Sequence, residues 1–147
     1  MFNPEELARD TLANLEAYSD PVRADWAERN YPTGARVLGV KAGDLHKVDR
    51  EISKMLAGTA PEQVINFSQV LVGLCVLECQ QVAYGVLSRH KAAMPHIREK
   101  HLLSLGAQLD NWVSMDYFAG LVADPAWRER QVPDRLILDW VQSPDRW

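Results

Sequence analysis

Cysteine is scarce in this sequence, and its two copies do not form a recognisable metal site. Cys75 and Cys79 lie four residues apart within one apolar run that is typical of a helix. No other potential ligand stands near them at a zinc-site spacing. We therefore interpret both thiols as small hydrophobic side chains on a buried helix face, and we predict no metal. A pair of free thiols is also consistent with the reducing cytosol.

Long apolar runs and targeting signals are absent as well. The chain does not open with a basic segment followed by an apolar one. No apolar run approaches the length of a membrane span. We therefore expect a soluble, cytoplasmic protein without a membrane partner.

The sequence has no excess of positive charge. Its net charge is -4 and its isoelectric point is near 5.5, which argues against a surface that binds nucleic acid over its whole extent. A local basic strip remains compatible with this charge. With 147 residues, 47% of them hydrophobic, the chain is long enough to bury one core and is predicted to form a single domain.

Common signatures of catalysis are missing too. The sequence contains no G-x-S-x-G nucleophile elbow, Walker loop or dinucleotide fingerprint, and the glycines between residues 34 and 43 are too scattered to cradle a phosphate. His96, Glu99 and His101 lie close together, but their spacing matches neither H-E-x-x-H nor H-x-x-E-H. We interpret these three as surface side chains. Nothing in the sequence favours a Cys-His nucleophile.

What the sequence does contain is a succession of helix signals. Asn3-Pro4 and Asp20-Pro21 each place a capping side chain before a proline at the first helical position. Thr59-Ala60-Pro61-Glu62 has the pattern of a capping box. Apolar residues recur at spacings of three, four and seven after Asp44. The predicted helices begin near Pro4, Pro21, Asp44, Pro61, Glu78, Ile97, Trp112 and Pro133.

The connections between these helices are predicted to be short. Ala35 to Val40 looks like a strand but is too brief and solitary for a sheet, so we predict an extended connection there. Asp124-Pro125 is expected to end the seventh helix, which leaves Trp127 in the following connection. Helices of about a dozen residues with no convincing strand predict an all-α layered fold. From Thr59 onward they would pair as about three antiparallel hairpins.

One stretch combines an aromatic and an acidic residue on the same helix face. Trp112 and Asp116 are four residues apart, so in a helix they stack one turn above the other. Met115, Ala119 and Val122 form the neighbouring apolar stripe, which puts Asp116 near the edge of a core-facing surface. The alternative is that Asp116 caps a nearby helix or pairs with an arginine, while Trp112 is an ordinary core residue.

Three short segments resemble one family. Asp110-Asn111-Trp112 followed by Asp116 is similar to a helix of the DNA alkylation repair glycosylases, the AlkD-like family of HEAT-repeat proteins. Leu38-Gly39-Val40-Lys41, followed by Asp44-Leu45, resembles the family's Gly-Val-Arg/Lys turn into a helix. The segment from Trp140 to Trp147 is similar to the one that precedes the family's Arg-rich helix. The three occur in the family's order.

The resemblance implies a fold and a reaction. The fold is a HEAT-like α-solenoid of stacked antiparallel helical hairpins, and the reaction is the excision of N3- or N7-alkylated purines from duplex DNA. Asp116 would stabilise the positive charge that develops on the sugar, or would position the attacking water. Trp112 would pack against the sugar or the lesion. Neither role requires a metal or an organic cofactor, and alkylated duplex DNA is the implied partner.

Contacts with a DNA backbone need cationic side chains. Lys41 is the first candidate because it occupies the family's Gly-Val-Arg/Lys turn. Arg36 and Lys47 are the next candidates, and Arg89 and Lys91 are further ones. The alternative for each of them is an ordinary solvated surface charge.

The end of the sequence departs from the family pattern. Ser143 to Trp147 looks like the start of another helix, and in related proteins an arginine pair and further helices follow this tryptophan. We therefore expect one all-α domain over residues 1–147, from the N-terminal portion of a longer protein. Residues 1–34 would form a helical pair and residues 35–147 the repeat helices. Apolar patches exposed at the C-terminal helices would then allow a dimer.

Two functions remain open. The first is an alkylpurine DNA glycosylase, which this chain alone would represent incompletely because the family's catalytic arginine lies beyond Trp147. The second is a non-catalytic helical-repeat module that binds a protein or nucleic acid, which the acidic isoelectric point favours. A titration with intact and alkylated duplexes separates them, because the glycosylase requires an affinity that falls as salt rises.

Overall fold

The chain is helical throughout, as predicted. The computed structural model describes residues 1–147, and its β-type pairing is limited to an isolated bridge between Arg36 and Val76. None of its helices has both the length and the apolar character needed to cross a membrane. The helices are α1 (Pro4–Glu16), α2 (Pro21–Asn30), α3 (Ala42–Leu56), α4 (Pro61–Gly73), α5 (Leu77–Arg89), α6 (Glu99–Gly106, after a 3-10 turn at Met94–His96), α7 (Trp112–Phe118), α8 (Asp124–Arg128) and α9 (Asp134–Val141).

The first two helices begin where their capping residues predict. Asn3 Oδ1 accepts two backbone N–H groups of the first turn of α1, both at 3.1 Å. Asp20 Oδ1 accepts two N–H groups at the start of α2, at 3.0 and 3.3 Å. Pro4 and Pro21 occupy the first helical position, where the missing N–H would have had no helical partner. Both predicted starts are confirmed.

One predicted cap and one predicted start differ from the structure. The capping box at Thr59 is wrong, because α4 begins at Pro61 with Ala60 as its cap and no side chain accepts a bond from the first turn. α3 begins at Ala42, so Asp44 lies inside its first turn. There the negative charge still favours the helix, because the first turn carries the positive end of the helix dipole.

The predicted break at Asp124-Pro125 is wrong as well. The chain stays helical from α7 into α8 through a π-helical turn at Ala119–Ala123, in which the N–H of Asp124 bonds to the carbonyl oxygen of Ala119. Pro125 has no N–H and normally clashes with the carbonyl one turn before it. A wider π turn directly before the proline accommodates it. Trp127 therefore lies in α8, not in a connection.

The C-terminal segment is not helical. α9 ends at Val141, and residues 143–147 contain no helix and only two bends, at Pro144 and Asp145. The N–H of Trp147 donates to Asp145 Oδ1 at 2.9 Å, and the Trp147 side chain is partly buried against the core. The helix start expected at Ser143 is absent from the structure.

The helices pack around a central pair, α4 and α5. α4 also packs against α1 and α6, α5 also packs against α3 and α7, and α1 contacts α3 and α5 as well. One hydrophobic cluster of 31 buried residues runs from Ala8 in α1 to Leu136 in α9. This all-helical arrangement is compatible with a helical-repeat solenoid. The division into residues 1–34 and 35–147 stays a prediction.

Candidate functional site

Trp112 and Asp116 lie on the exposed side of α7. The Trp112 side chain is 53% exposed, and Asp116 is exposed one turn further along the helix. No hydrogen bond or salt bridge within the protein engages the Asp116 carboxylate. The alternative in which Asp116 caps a helix or pairs with an arginine, and Trp112 is a core residue, is therefore wrong. Both side chains are accessible to a ligand.

Trp112 belongs to a row of three aromatic rings that the sequence did not predict. Its ring meets that of Tyr31 edge to face, with centroids 5.7 Å apart and planes inclined by 79°. Tyr31 meets Trp26 in the same way, at 6.3 Å and 79°. Such edge-to-face contacts are the favoured geometry for aromatic pairs. The aromatic row (Trp26, Tyr31 and Trp112) thus connects α2 to the start of α7.

Asp110 fixes the loop that carries Tyr31. The carboxylate accepts the Thr33 hydroxyl and the Gly34 N–H, both at 2.5 Å. Partial burial alone would raise the pKa of Asp110, but the bonds from Thr33, Gly34 and Asn111 outweigh it and lower the pKa below 3.8. A Cβ at Gly34 would lie 3.2 Å from the carboxylate, so glycine permits this close approach. Asp110 therefore connects the loop after α2 to the start of α7.

Asn111 fixes α7 itself. Its Oδ1 accepts the N–H of Ser114 at 2.9 Å as the helix cap, and its side chain is buried. The Ser114 hydroxyl donates in turn to Gln80 Oε1 in α5 at 2.5 Å. Two residues of the Asp110-Asn111-Trp112 motif are thus structural, and they set the position from which Trp112 projects.

A hollow of about 560 Å³ opens beside the aromatic row. It is lined by residues of α2, of the turn before α3, of α3 itself and of α5, and by one residue of α7, Tyr117. Most of its lining is apolar. The lining residues are Val22, Arg23, Trp26, Ala27, Tyr31, Gly39, Val40, Ala42, Leu45, Leu77, Glu78, Gln81 and Tyr117.

A buried carboxylate shapes the turn that borders the hollow. Glu78, at the start of α5, is buried and accepts the successive N–H groups of Leu38, Gly39 and Val40, with shortest distances of 3.0, 2.8 and 3.3 Å. Three amide donors replace the water that a buried carboxylate loses. Lys41 follows this turn directly, so Glu78 also determines where Lys41 leaves the backbone.

Gly39 is required in that turn for two reasons. Its φ is +78°, in the region that favours glycine. A Cβ at this position would lie 2.3 Å from the carbonyl oxygen of Asp20 and 2.6 Å from the backbone nitrogen of Ala24. The Gly-Val-Lys segment thus packs directly against the start of α2. Residues 35–40 form a connection outside any helix, as predicted, with Arg36 bridged to Val76, but the segment is not extended at Gly39.

The structure separates the predicted cations. Lys41 is exposed, has no partner in the protein and adjoins two residues of the hollow. Arg36 forms a salt bridge with Glu16 at 2.7 Å. Lys47 Nζ lies 3.1 Å from the Tyr18 hydroxyl and 5.7 Å from the centre of its ring. Arg36 and Lys47 are thus engaged with the end of α1 and the residues after it, whereas Lys41 is available beside the hollow.

The remaining candidate ligands and nucleophiles are bonded or buried within the protein, or do not form a group that could bind a metal. No group of three or more histidine, cysteine and acidic residues has a metal-binding arrangement. His101 Nδ1 accepts the N–H of Arg98 at 3.0 Å. Burial raises the pKa of Cys79 to about 12, which keeps that thiol protonated. Cys75 is exposed between α4 and α5 with a φ of 54°, so the prediction of two buried thiols on one helix is wrong for Cys75.

The comparisons with known proteins give one match. A family model described as "DNA alkylation repair enzyme" matches residues 11–147, which includes the aromatic row, the Glu78 turn and Asp116. No curated protein and no solved structure matches the chain.

Proposed function

Because the chain belongs to the DNA alkylation repair enzyme family, we propose that it is a DNA glycosylase that excises N3- or N7-alkylated purines from duplex DNA. The observation that carries this proposal is the environment of Asp116. Its carboxylate is exposed, has no partner in the protein, and lies one turn from the half-exposed Trp112. A carboxylate that stabilises nothing in the protein is available to act on a substrate.

The chemistry of the lesion explains what a carboxylate can contribute to its excision. Alkylation at N3 or N7 gives the purine a positive charge, so the base leaves readily with the electron pair of its bond to C1′, without help from a general acid. Positive charge develops on the sugar as that bond stretches. A fixed negative charge near C1′ stabilises this state, or orients the water that adds to C1′, most strongly where the site is partly dry.

The aromatic row supplies the complementary binding surface. The face of an indole or phenol ring carries negative charge density and attracts a cation, including a cationic base. Trp112 contacts Tyr31 edge to face and keeps about half of its side chain exposed, at 53%. In this proposal Trp112 packs against the sugar or the alkylated base, while Asp116 faces C1′.

Lys41 is the proposed first contact with the DNA backbone. Its ammonium group has no partner in the protein, and the Glu78 turn fixes the backbone from which it extends. A cation that neutralises a phosphate releases counterions and strengthens binding at low salt. Arg36 and Lys47 are expected to contribute less, because each is already engaged within the protein.

The test is the release of 7-methylpurines from alkylated duplex DNA. Asp116→Asn removes the charge with little change in size, and we expect release to slow by about 10²- to 10³-fold, the usual effect of removing one electrostatic group from a transition state. Asp10→Asn, at an exposed aspartate of α1, is the matched control and should match wild type. Equal release by wild type and Asp116→Asn would rule out this role for Asp116.

A second candidate function is a non-catalytic binding module. Two observations favour it: the net charge of -4, and an apolar groove of about 500 Å³ between α6, the helix from α7 to α8, and α9. This C-terminal groove exposes large apolar side chains, including Leu103 and Trp127. The module would bind alkylated and intact duplexes equally or not at all. A salt titration of both duplexes, with no base released from either, would favour it over the glycosylase.

A further inference from the structure

The hollow beside the aromatic row continues along α3 and α5 to a second polar feature. Leu45 and Gln81 line the hollow. Asp49 lies one turn beyond Leu45 on the same face of α3, and Arg89 lies two turns beyond Gln81 on the same face of α5. Asp49 and Arg89 form a salt bridge across the two helices. The surface beside α7 therefore runs from the aromatic row, past the hollow, to this ion pair.

Asp49 is built to hold Arg89. Its side chain is only 7% exposed, and the backbone around it makes room for the carboxylate. A Cβ at Gly85 would lie 2.6 Å from Asp49 Oδ2, so the absence of a side chain at Gly85 is what admits the acid between α3 and α5. Burial raises the pKa of Asp49, while the bond and charge of Arg89 act in the opposite direction.

Arg89 is only partly occupied by this pair. Its side chain is 43% exposed, and its bond to Asp49 uses one terminal nitrogen. A guanidinium has five N–H donors, so the others remain available on the exposed side. An arginine whose one edge is fixed by a buried acid presents its other edge in a set orientation, which suits a phosphate group.

Tyr117 supplies a second hydrogen-bond donor at the hollow. It lies on α7 directly after Asp116 and is one of the residues that line the hollow. Burial first, and then the charge of Asp49, raise the pKa of Tyr117, while Arg89 lowers it, so the phenol stays protonated at neutral pH.

We propose that Arg89 binds a DNA phosphate at the end of the hollow opposite Lys41, and that Asp49 is the positioning residue that aims its guanidinium. This assignment rests on the proposed function, since it presumes that duplex DNA occupies this surface. Lys41 and Asp49 are eight residues apart along α3, or roughly 12 Å at 1.5 Å per residue. In this arrangement Lys41 and Arg89 contact the DNA backbone on either side of the nucleotide that lies at the hollow and Asp116.

The experiment measures the affinity for one alkylated duplex over a series of salt concentrations. We expect Arg89→Gln to weaken binding about 5- to 10-fold near 0.1 M salt and to reduce the slope of log K against log salt by about 0.9, the value for one lost phosphate contact. Arg89→Lys should keep the slope, because it keeps the charge, but bind severalfold more weakly without the planar fork. Asp49→Asn should likewise keep the slope and bind severalfold more weakly, because Arg89 keeps its charge but loses the acid that orients it.

The control is Arg135→Gln. Arg135 is also paired with a carboxylate, Glu99 of α6, but it lies on α9, away from α3 and α5. Its loss should leave both affinity and slope unchanged. Because Arg89→Gln leaves Asp49 buried without its partner, the double variant Asp49→Asn/Arg89→Gln provides a second protein with no unpaired buried charge, and it should show the same lower slope.

Two failures are distinguishable. If wild-type protein binds the duplex with a clear salt dependence and Arg89→Gln and the double variant keep the full slope, the phosphate assignment is overturned and the ion pair is only structural. If wild-type protein shows no salt-dependent binding to any duplex, the proposed function fails and the assignment falls with it.

Discussion

The surface around Asp116 and the C-terminal groove are built in opposite ways. Around Asp116, buried or partly buried polar side chains connect segments that are distant in the sequence: Asp110 holds the loop after α2, and Glu78 holds the turn before α3. In the C-terminal groove the lining is mostly apolar, and Asp124, one of its few charged residues, pairs with Arg128 one turn along the same helix. One surface is fixed from several sides, and the other is fixed mainly by packing.

The difference indicates what each surface is suited to do. A reaction centre needs side chains held in one arrangement, and charge-assisted hydrogen bonds between distant segments provide that rigidity. An apolar groove needs only shape and exposed hydrophobic area to receive another surface. The dimer expected through the C-terminal helices stays a prediction, for which Leu138 and Val141, both exposed on α9, are the residues to substitute.

The largest loss of stability is expected when the Glu78 turn loses its acceptor. Glu78→Ala leaves three N–H groups without a partner, and each unsatisfied buried donor costs about 1–3 kcal/mol. We expect the free energy of unfolding in urea to fall by about 4 kcal/mol. Glu51→Ala, at an exposed position of α3, is the control and should change it by less than about 0.5 kcal/mol. A small effect of Glu78→Ala would mean that the turn does not depend on this carboxylate.

Gly39→Ala tests the same turn from its other side. The new Cβ would meet the backbone of Asp20 and Ala24, and the positive φ disfavours alanine. We expect a loss of about 3 kcal/mol in the free energy of unfolding, together with weaker DNA binding through displacement of Lys41. Gly43→Ala, where a Cβ meets nothing within 4 Å, should be neutral or slightly stabilising. Similar unfolding curves for the two variants would contradict the proposed packing.

Asp110→Asn should have a smaller effect that depends on pH. The pKa of Asp110 is lower in the folded protein than its ordinary value of 3.8, so its contribution is present above that value and disappears as the pH falls through the folded pKa. We expect a loss of about 1 kcal/mol at neutral pH. The urea curves of wild type and variant should converge in strong acid. A difference that persists there would assign the effect to something other than the charge.

The smallest effect is expected at His101 in α6. Burial lowers the pKa of His101 below 6.5, and its Nδ1 accepts the N–H of Arg98, which protonation would prevent. Its contribution is therefore present above pH 6.5 and is lost as the pH falls through the folded pKa. We expect the free energy of unfolding of wild type to fall by less than about 1 kcal/mol between pH 6.5 and 5. That of His101→Gln should fall by a smaller amount over the same range. His46→Gln, at an exposed histidine of α3, is the control and should behave as wild type.

Local signals predicted the fold better than the site. Asn3-Pro4 and Asp20-Pro21 start helices by contacts within four residues, and the four-residue spacing of Trp112 and Asp116 predicted that they share one helix face. That this face is exposed was not predicted from the spacing. The π turn before Pro125 was missed because local sequence rules predict that a proline ends a helix. Here packing, which those rules do not include, keeps that proline inside a helix.

The partners of the site were missed for a related reason. Tyr31 and Trp112, or Asp49 and Arg89, are brought together only when α2 meets α7 and α3 meets α5. Nothing in the spacing of one segment reports on its contacts with another. The signal that could have pointed to them is compositional: an acid such as Glu78 or Asp49 on the apolar face of a predicted helix requires a partner, since burying an unpaired charge is costly.

The central claim is that Asp116 is free in the protein because it acts on the substrate. The most direct measurement is the single-turnover release of 7-methylpurine from a saturated complex with alkylated duplex, together with the affinity for that duplex. For Asp116→Asn, we predict a rate constant about 10²- to 10³-fold lower at an affinity that is unchanged or slightly higher. A rate constant equal to that of wild type would contradict the claim.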